Sequence, residues 1–188
     1  MSNPNSQIPD FLFQIAQGFY AVGLNCATDP FRDKDIKGLQ RISTGAVNLS
    51  FASELFLKGL LLITSKRAIT GHNLESLFNE LKPELKNSIE QHFTNYLKED
   101  KGDKSLGSFT MSVSKAQKDS TPANSIDETL LTFLRIHAET FKIWRYLYDI
   151  GKDGYEIHIS FRNMHCFIKA LITTINSTPW KQKFHQIK

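Results

Sequence analysis

The stretch AVNLSFASELFLKGLLLITSKRAITGHNLESLFNEL, residues 46–81, contains the strongest apolar segment of the chain, with a short set of charged and polar residues inside it. From Ile36 to Ile63 the apolar residues recur at helical intervals, no proline interrupts them, and Gly45 and Gly59 are isolated. Helical periodicity sustained over this length is typical of a core helix. The pattern therefore predicts one long helix that is buried over its second half.

Two opposite charges lie within the apolar part of this helix. Glu54 and Lys58 are four residues apart, in the order that favours a pair on a helix surface. One interpretation is a surface ion pair, which contributes only a few tenths of a kcal/mol. The other is that both charges are partly buried among the large apolar residues around them. Burial of that kind would require further partners from other helices.

The predicted helix is followed by the turn Gly71-His72-Asn73, which leads into another helix. Asn73 is a predicted N-cap, and Glu75 lies in the first turn, where the helix dipole favours a carboxylate. The apolar face of this helix comprises Leu74, Leu77, Phe78 and Leu81. His72 thus lies at a helix start, where it is either a capping or packing residue or a catalytic one.

Four more helices are predicted outside the central stretch. Their ranges are 9–24, 83–97, 125–149 and 160–176. Pro83 suits the first position of the second, and Ser125-Ile-Asp-Glu128 is a capping box that opens the third. Residues 1–8 and 179–188 are expected to be loose. The whole predicts a single all-α domain, an up-and-down antiparallel bundle of five or six helices.

Residues 98–124 differ in composition from the rest of the chain. They are rich in Lys, Ser, Gly and Asp and poor in large apolar residues, and a loop of this length is unusual in a compact domain. They are either a flexible insertion or a loop that covers a substrate or binds a partner. Within them Phe109, Met111 and Val113 alternate with polar residues and indicate a short strand-like arm. Residues 155–159 are also predicted to be briefly extended.

Composition places the chain in an ordinary class. A hydrophobic content of 40% and a charged content of 22% are typical of a soluble globular protein. The net charge of +4 permits an acidic partner such as RNA without requiring one. Cys26 and Cys166 have no metal-site or disulfide spacing, which indicates reduced thiols. The N-terminus lacks the features of a signal peptide, and Leu55–Ile63 is too short to span a bilayer. A cytoplasmic protein without a membrane partner is expected.

Familiar catalytic motifs are missing from the sequence. It contains no glycine-rich phosphate loop, no metal-ligand spacing and no nucleophile elbow, so no cofactor or metal is predicted. What remains is WRYLYD at 144–149, in which Arg145 and Asp149 form an i,i+4 pair. A guanidinium group suits a carboxylate or a phosphate equally well. Arg145 therefore either neutralises Glu54 inside the bundle or binds a ligand.

The two halves of the central stretch together resemble the HEPN (higher eukaryotes and prokaryotes nucleotide-binding) domain family. Members of that family show an A-x-E-x-x-L-K helix, a short loop and a G-H-[ND]-L-x-x-L helix start. The first motif is matched by Ala52, Glu54, Leu57 and Lys58, and the second by Gly71, His72, Asn73, Leu74 and Leu77. WRYLYD is similar to a later aromatic–Arg–Tyr–x–[FY]–[ED] stretch of the family. The resemblance implies a homodimer that binds RNA or a nucleotide.

Many HEPN proteins are metal-independent ribonucleases with an Arg-x4–6-His motif. Their His transfers a proton and their Arg holds the scissile phosphate. In this chain Arg67 and His72 have the right spacing but lie in a loop that enters a helix. Arg162 and His165 are separated by only two residues, although at that spacing they share a helix face. The chain thus departs from the family pattern at both places.

Three functional hypotheses follow. The first is a metal-independent ribonuclease or RNA-binding module of a bacterial stress, toxin–antitoxin or phage-defence system. Its candidate groups are Arg162 and His165 from both protomers, with Arg67 and His72 as further candidates. The second is a non-catalytic interaction module that binds a nucleotide or a partner protein. Its candidate cluster comprises Glu54, Lys58, His72, Arg145 and Asp149. The third is that this cluster is purely structural.

Overall fold

The computed structural model describes residues 8–28, 36–65, 70–99, 105–113, 129–146 and 155–178, which form a helical bundle with one small antiparallel sheet. In chain order the elements are α1 (Ile8–Ala27), α2 (Ile36–Ser65), α3 (Leu74–Asn79), α4 (Pro83–Glu99), β1 (Ser108–Val113), α5 (Leu130–Ile136), α6 (Thr140–Arg145), β2 (Tyr155–Ser160) and α7 (Phe161–Ser177). The predicted all-α class is confirmed. One hydrophobic core takes residues from all seven helices.

Helices α1 and α2 pack against each other closely and in opposite directions. A Cβ atom on Gly59 would lie 2.4 Å from the ring of Phe13, and one on Gly23 would lie 2.8 Å from the side chain of Leu49. As the residue numbers rise along α1, those of the partners on α2 fall, so the two helices are antiparallel. The missing side chains of the two glycines allow this close approach.

Helix α2 is the central helix of the bundle and is longer than the apolar run on which the membrane prediction rested. Residues 37–65 contain a window with a mean hydropathy of 1.5, long and apolar enough to cross a membrane by length and composition. In the fold 67% of that window is buried against other parts of the chain. Such burial is the property of a core helix, and α2 packs on α1, α6 and α7.

The polar segment 98–124 is partly regular structure. Helix α4 continues to Glu99, and β1 pairs with β2 in an antiparallel register in which Phe109 lies opposite Ile159. The amide of Phe161 also donates to the carbonyl of Gly107 at 3.1 Å, which fastens the base of the arm to the start of α7. The predicted strand-like arm is confirmed, and so is the extended segment at 155–159. Residues 100–104 and 114–124 of the predicted insertion lie outside the described residues, and so does the predicted capping box at 125–128.

The predicted helix at 125–149 is wrong in its start and in its continuity. Thr129 has an extended backbone and its hydroxyl accepts from the amide of Thr132 at 3.3 Å, so the helix begins at Leu130. A turn at 137–139 then separates α5 from α6. The carbonyl of Ala138 accepts from the amide of Leu74 at 3.0 Å, a partner on another helix rather than one four residues ahead. This division raises the number of described helices to seven.

Candidate functional site

The turn before α3 has the geometry that its sequence predicts. Gly71 has a φ of +109°, a conformation that residues with a side chain rarely adopt. Asn73 caps the helix, because its side-chain oxygen accepts from the amide of Ser76 at 2.8 Å. Its Nδ2 donates to the Oε1 of Glu139 at 2.8 Å, in the turn before α6. His72 is thereby held between a left-handed glycine and a capped helix start.

Glu54 is a buried carboxylate with two partners. Its side chain is only 1% exposed, and its Oε1 accepts from the Nζ of Lys58 at 2.8 Å. The Nδ1 of His72 lies 3.0 Å from each of its two oxygens. An unpaired buried carboxylate is costly, so these contacts stabilise its position. The interpretation of Glu54 and Lys58 as a simple surface pair is therefore wrong, since the carboxylate is buried and also binds a residue from outside its helix.

The far side of His72 is open to solvent. The side chain is 55% exposed, and its ring lies 5.6 Å from the ring of Phe141 on α6. Glu54 thus fixes one edge of the imidazole and Phe141 contacts its face. More than half of the side chain thus stays exposed while its Nδ1 contacts Glu54.

Arg145, the last residue of α6, reaches the same aromatic ring. Its guanidinium carbon lies 5.7 Å from the centre of Phe141 and 5.3 Å from the centre of the Tyr146 ring. The side chain is exposed, and no carboxylate pairs with it in the described part of the chain. The interpretation in which Arg145 neutralises Glu54 is therefore wrong, because Lys58 and His72 occupy that carboxylate. Its predicted partner Asp149 lies outside the described residues.

We call Glu54, Lys58, His72, Phe141 and Arg145 the His72 cluster. The sequence does not predict Phe141 as a member of the site, because nothing in it distinguishes this residue from other core phenylalanines.

Two further aromatic rings, those of Phe51 and Phe19, connect Phe141 of the His72 cluster to helices α2 and α1. Phe141 stacks on Phe51 of α2 with ring centres 5.0 Å apart, and Phe51 meets the edge of Phe19 on α1 at 4.7 Å. Aromatic pairs in these geometries contribute about 0.5–1.5 kcal/mol beyond their buried area. These contacts connect α1, α2 and α6, and they fix the position of Phe141 in the His72 cluster.

Arg162 and His165 contact different helices. The Nη2 of Arg162 donates to the carbonyl of Leu97 near the end of α4, and its buried Nε has no hydrogen-bond partner within the described residues. The Nδ1 of His165 forms a 2.7 Å hydrogen bond with the hydroxyl of Tyr20 on α1, and the two rings stack. A cation near a helix C-terminus interacts favourably with its free carbonyls. These contacts attach α7 to α4 and α1.

Two other pairs of an arginine and a histidine lie close together in the sequence, Arg67 with His72 and Arg135 with His137. Arg67, the predicted partner of His72, lies outside the described residues. Arg135 is exposed whereas His137 is 1% exposed, so these two side chains do not share a surface. Burial, with a smaller contribution from His158, lowers the pKa of His137 from 6.5 to about 3. Across the described ranges, no group of three His, Cys, Asp or Glu side chains has the arrangement of a metal site.

Comparisons of the chain with models of protein families, with curated protein sequences and with solved structures find no match. The resemblance to the HEPN family therefore stays a prediction from the motifs in residues 46–81 and 144–149.

Proposed function

We propose that the chain is a HEPN-like module that binds phosphate groups of RNA or of a nucleotide at the His72 cluster. The observation that supports this most is that the exposed side chains of His72 and Arg145 both lie next to the ring of Phe141, at 5.6 Å and 5.7 Å from its centre. Arg145 has no carboxylate partner among the described residues. Arginine is well suited to phosphate, because its planar fork donates two parallel hydrogen bonds.

The charges of the cluster favour an anionic ligand. Lys58 matches the single negative charge of Glu54 through a 2.8 Å contact, which leaves Arg145 as a net positive charge at the surface. His72 adds a second positive charge whenever its ring is protonated. A phosphate group placed at Arg145 thus meets a cationic surface without having to displace a carboxylate from it.

Aromatic side chains next to the cluster favour a ligand that also carries a base. Tyr146 is 38% exposed and lies directly beside the guanidinium of Arg145. Exposed aromatic rings beside cationic side chains are the usual means by which proteins bind single-stranded RNA, because every base has a face that stacks. Single-stranded RNA or a nucleotide therefore fits this surface better than inorganic phosphate does.

A partner-protein module is the second candidate, and the outer side of α1 supports it. Phe11 is 63% exposed and Val22 is 51% exposed on this helix, whose single charged residue is Asp10. Depletion of charge is typical of the centre of a protein interface. The HEPN resemblance implies a homodimer without naming its interface, and the exposed apolar residues of α1 make this helix the candidate interface. The assignment to a stress or defence system rests on that resemblance alone.

Fluorescence anisotropy with labelled single-stranded RNA and with a labelled adenine nucleotide tests the proposed function. Arg145→Ala is expected to weaken binding by about tenfold or more, because a charge-assisted contact to phosphate is lost. Arg135→Ala is the matched control. Arg135 is an exposed arginine in the last turn of α5, so its substitution removes the same charge from a place outside the cluster. Equal affinities of the two variants would rule out the cluster as the binding site.

A further inference from the structure

One edge of strand β1 faces away from its partner strand. The amide of Phe161 donates to the carbonyl of Gly107, and this pair continues the register of β1 with β2. In an antiparallel pair, residues that exchange backbone hydrogen bonds alternate with residues that do not. The odd-numbered residues of β1 therefore bond to β2, whereas Ser108, Thr110 and Ser112 direct their N–H and C=O groups outward. Within the described ranges these outward groups have no backbone partner.

This outer edge of β1 lacks the features that protect most strand edges. The sequence of the strand, SFTMSV, contains no charged residue and no proline, and its register with β2 runs from Ser108 to Val113 without a bulge. Natural proteins usually protect an exposed edge with lysine, proline or a bulge, because bare backbone groups pair readily with another strand. Ser108 and Thr110 are exposed. The edge is therefore able to accept a further strand.

We propose that the outer edge of β1 pairs with the same edge of a second copy of the chain, in an antiparallel register about a twofold axis at Thr110. In this register Thr110 lies opposite its equivalent, and Ser108 lies opposite Ser112 of the second copy. Residues in such positions exchange both of their backbone hydrogen bonds. The outward groups of Ser108, Thr110 and Ser112 are thereby satisfied in both copies, and the two sheets become one continuous sheet.

A second copy suits this edge because β1 is complementary to itself. The strand is uncharged, so pairing it with its own equivalent places no like charges opposite each other, and its Thr, Phe and Val residues favour extended structure. Pairing through β2 would instead bring Glu156 into the new interface. A twofold interface uses the same patch on both subunits. The edge shares no residue with the His72 cluster or with α1, so this inference does not rest on the proposed function.

Sedimentation equilibrium of the full chain over a range of concentrations tests the inference. The background is Phe11→Glu, so that association through the exposed side of α1 does not contribute. Thr110→Pro removes the outward N–H at the twofold axis, but it removes no backbone hydrogen bond between β1 and β2, and proline is tolerated at such positions of an edge strand. Thr110→Val is the matched control, because it also loses the hydroxyl bond to His158 but keeps the N–H. The background chain and Thr110→Val are expected to dimerise, and Thr110→Pro is expected to weaken the association by about tenfold or more.

A charge exchange tests the register and decides the matter if Thr110→Pro does not fold. One double variant carries Ser108→Lys with Ser112→Lys, and the other carries Ser108→Asp with Ser112→Asp. Each alone places like charges opposite each other across the twofold axis and is expected to stay monomeric, whereas an equimolar mixture is expected to form a heterodimer. A monomeric background chain, equal association of Thr110→Pro and Thr110→Val, or a mixture without heterodimer would overturn the inference. Dimers of either double variant alone would overturn it as well.

Discussion

Glu54 and His72, eighteen residues apart in the sequence, meet with the imidazole Nδ1 3.0 Å from each carboxylate oxygen. The pair joins the middle of α2 to the start of α3. Three local features produce it: the buried position of Glu54 on α2, the left-handed Gly71 and the cap at Asn73. A buried charge and a half-exposed imidazole in direct contact make this the most distinctive polar arrangement of the described residues.

Asn73→Ala is expected to destabilise the fold by about 1 kcal/mol, because it removes the helix cap of α3. The same change also removes the 2.8 Å hydrogen bond to Glu139. Asn73→Ser separates the two contributions. A serine hydroxyl can still cap the helix, but it is too short to reach the carboxylate of Glu139 as the asparagine amide does. Urea unfolding measures both variants. Equal losses in the two would show that the contact with Glu139, and not the cap, stabilises this turn.

Gly59→Ala is expected to destabilise the fold by about 1–3 kcal/mol, the usual range for overpacking a core. The new Cβ atom would lie 2.4 Å from the ring of Phe13, so α1 and α2 would have to move apart. Gly18→Ala is the control, because a Cβ there meets nothing within 4 Å. Its gain in helix propensity is expected to raise stability by up to about 1 kcal/mol. Thermal or urea unfolding that shows the same sign for both variants would contradict the close packing of the two helices.

Acid is expected to destabilise the fold through His137. Its pKa is about 3 in the folded chain and 6.5 when unfolded, so below pH 6.5 the unfolded chain binds a proton that the folded chain does not. This contribution to stability is complete above that pH and decreases as the pH falls towards 3, by about 1.4 kcal/mol per pH unit. The expected loss at about pH 5 is therefore about 2 kcal/mol.

The measurement for this prediction is the difference in unfolding free energy between about pH 7.5 and about pH 5 in the wild type and in His137→Gln. The variant cannot titrate at this position, so its stability is expected to change less over that interval. The comparison uses the slope of each protein and is unaffected by any constant loss that the substitution causes. An identical pH dependence in both proteins would assign the acid sensitivity to other groups.

The local features of the fold follow from the sequence because each depends on neighbouring residues. The apolar period of α2, the cap at Asn73 and the first position of α4 at Pro83 are decided within a few residues. The contact between Glu54 and Lys58 is also local, since it spans one helical turn. The alternation at 109–113 predicted a strand for the same reason.

The features that the sequence did not predict depend on distant parts of the chain. The turn at 137–139 is stabilised by a backbone hydrogen bond from the amide of Leu74 to the carbonyl of Ala138. No residue near the turn predicts this contact. Arg145 lies beside aromatic rings rather than beside Glu54, because Lys58 and His72 already occupy that carboxylate. The spacing of Arg162 and His165 predicts that they share a helix face. It does not predict the contact of Arg162 with the carbonyl of Leu97, which lies on another helix.

Histidine ring signals recorded by NMR during a titration with single-stranded RNA test the central claim most directly. We expect the signals of His72 to shift as RNA binds, while those of His92, which lies against Tyr96 on α4, stay unchanged. His165, which bonds to Tyr20, reports on the alternative site at Arg162. A shift of His165 with no change at His72, or binding that moves neither ring, would contradict the account.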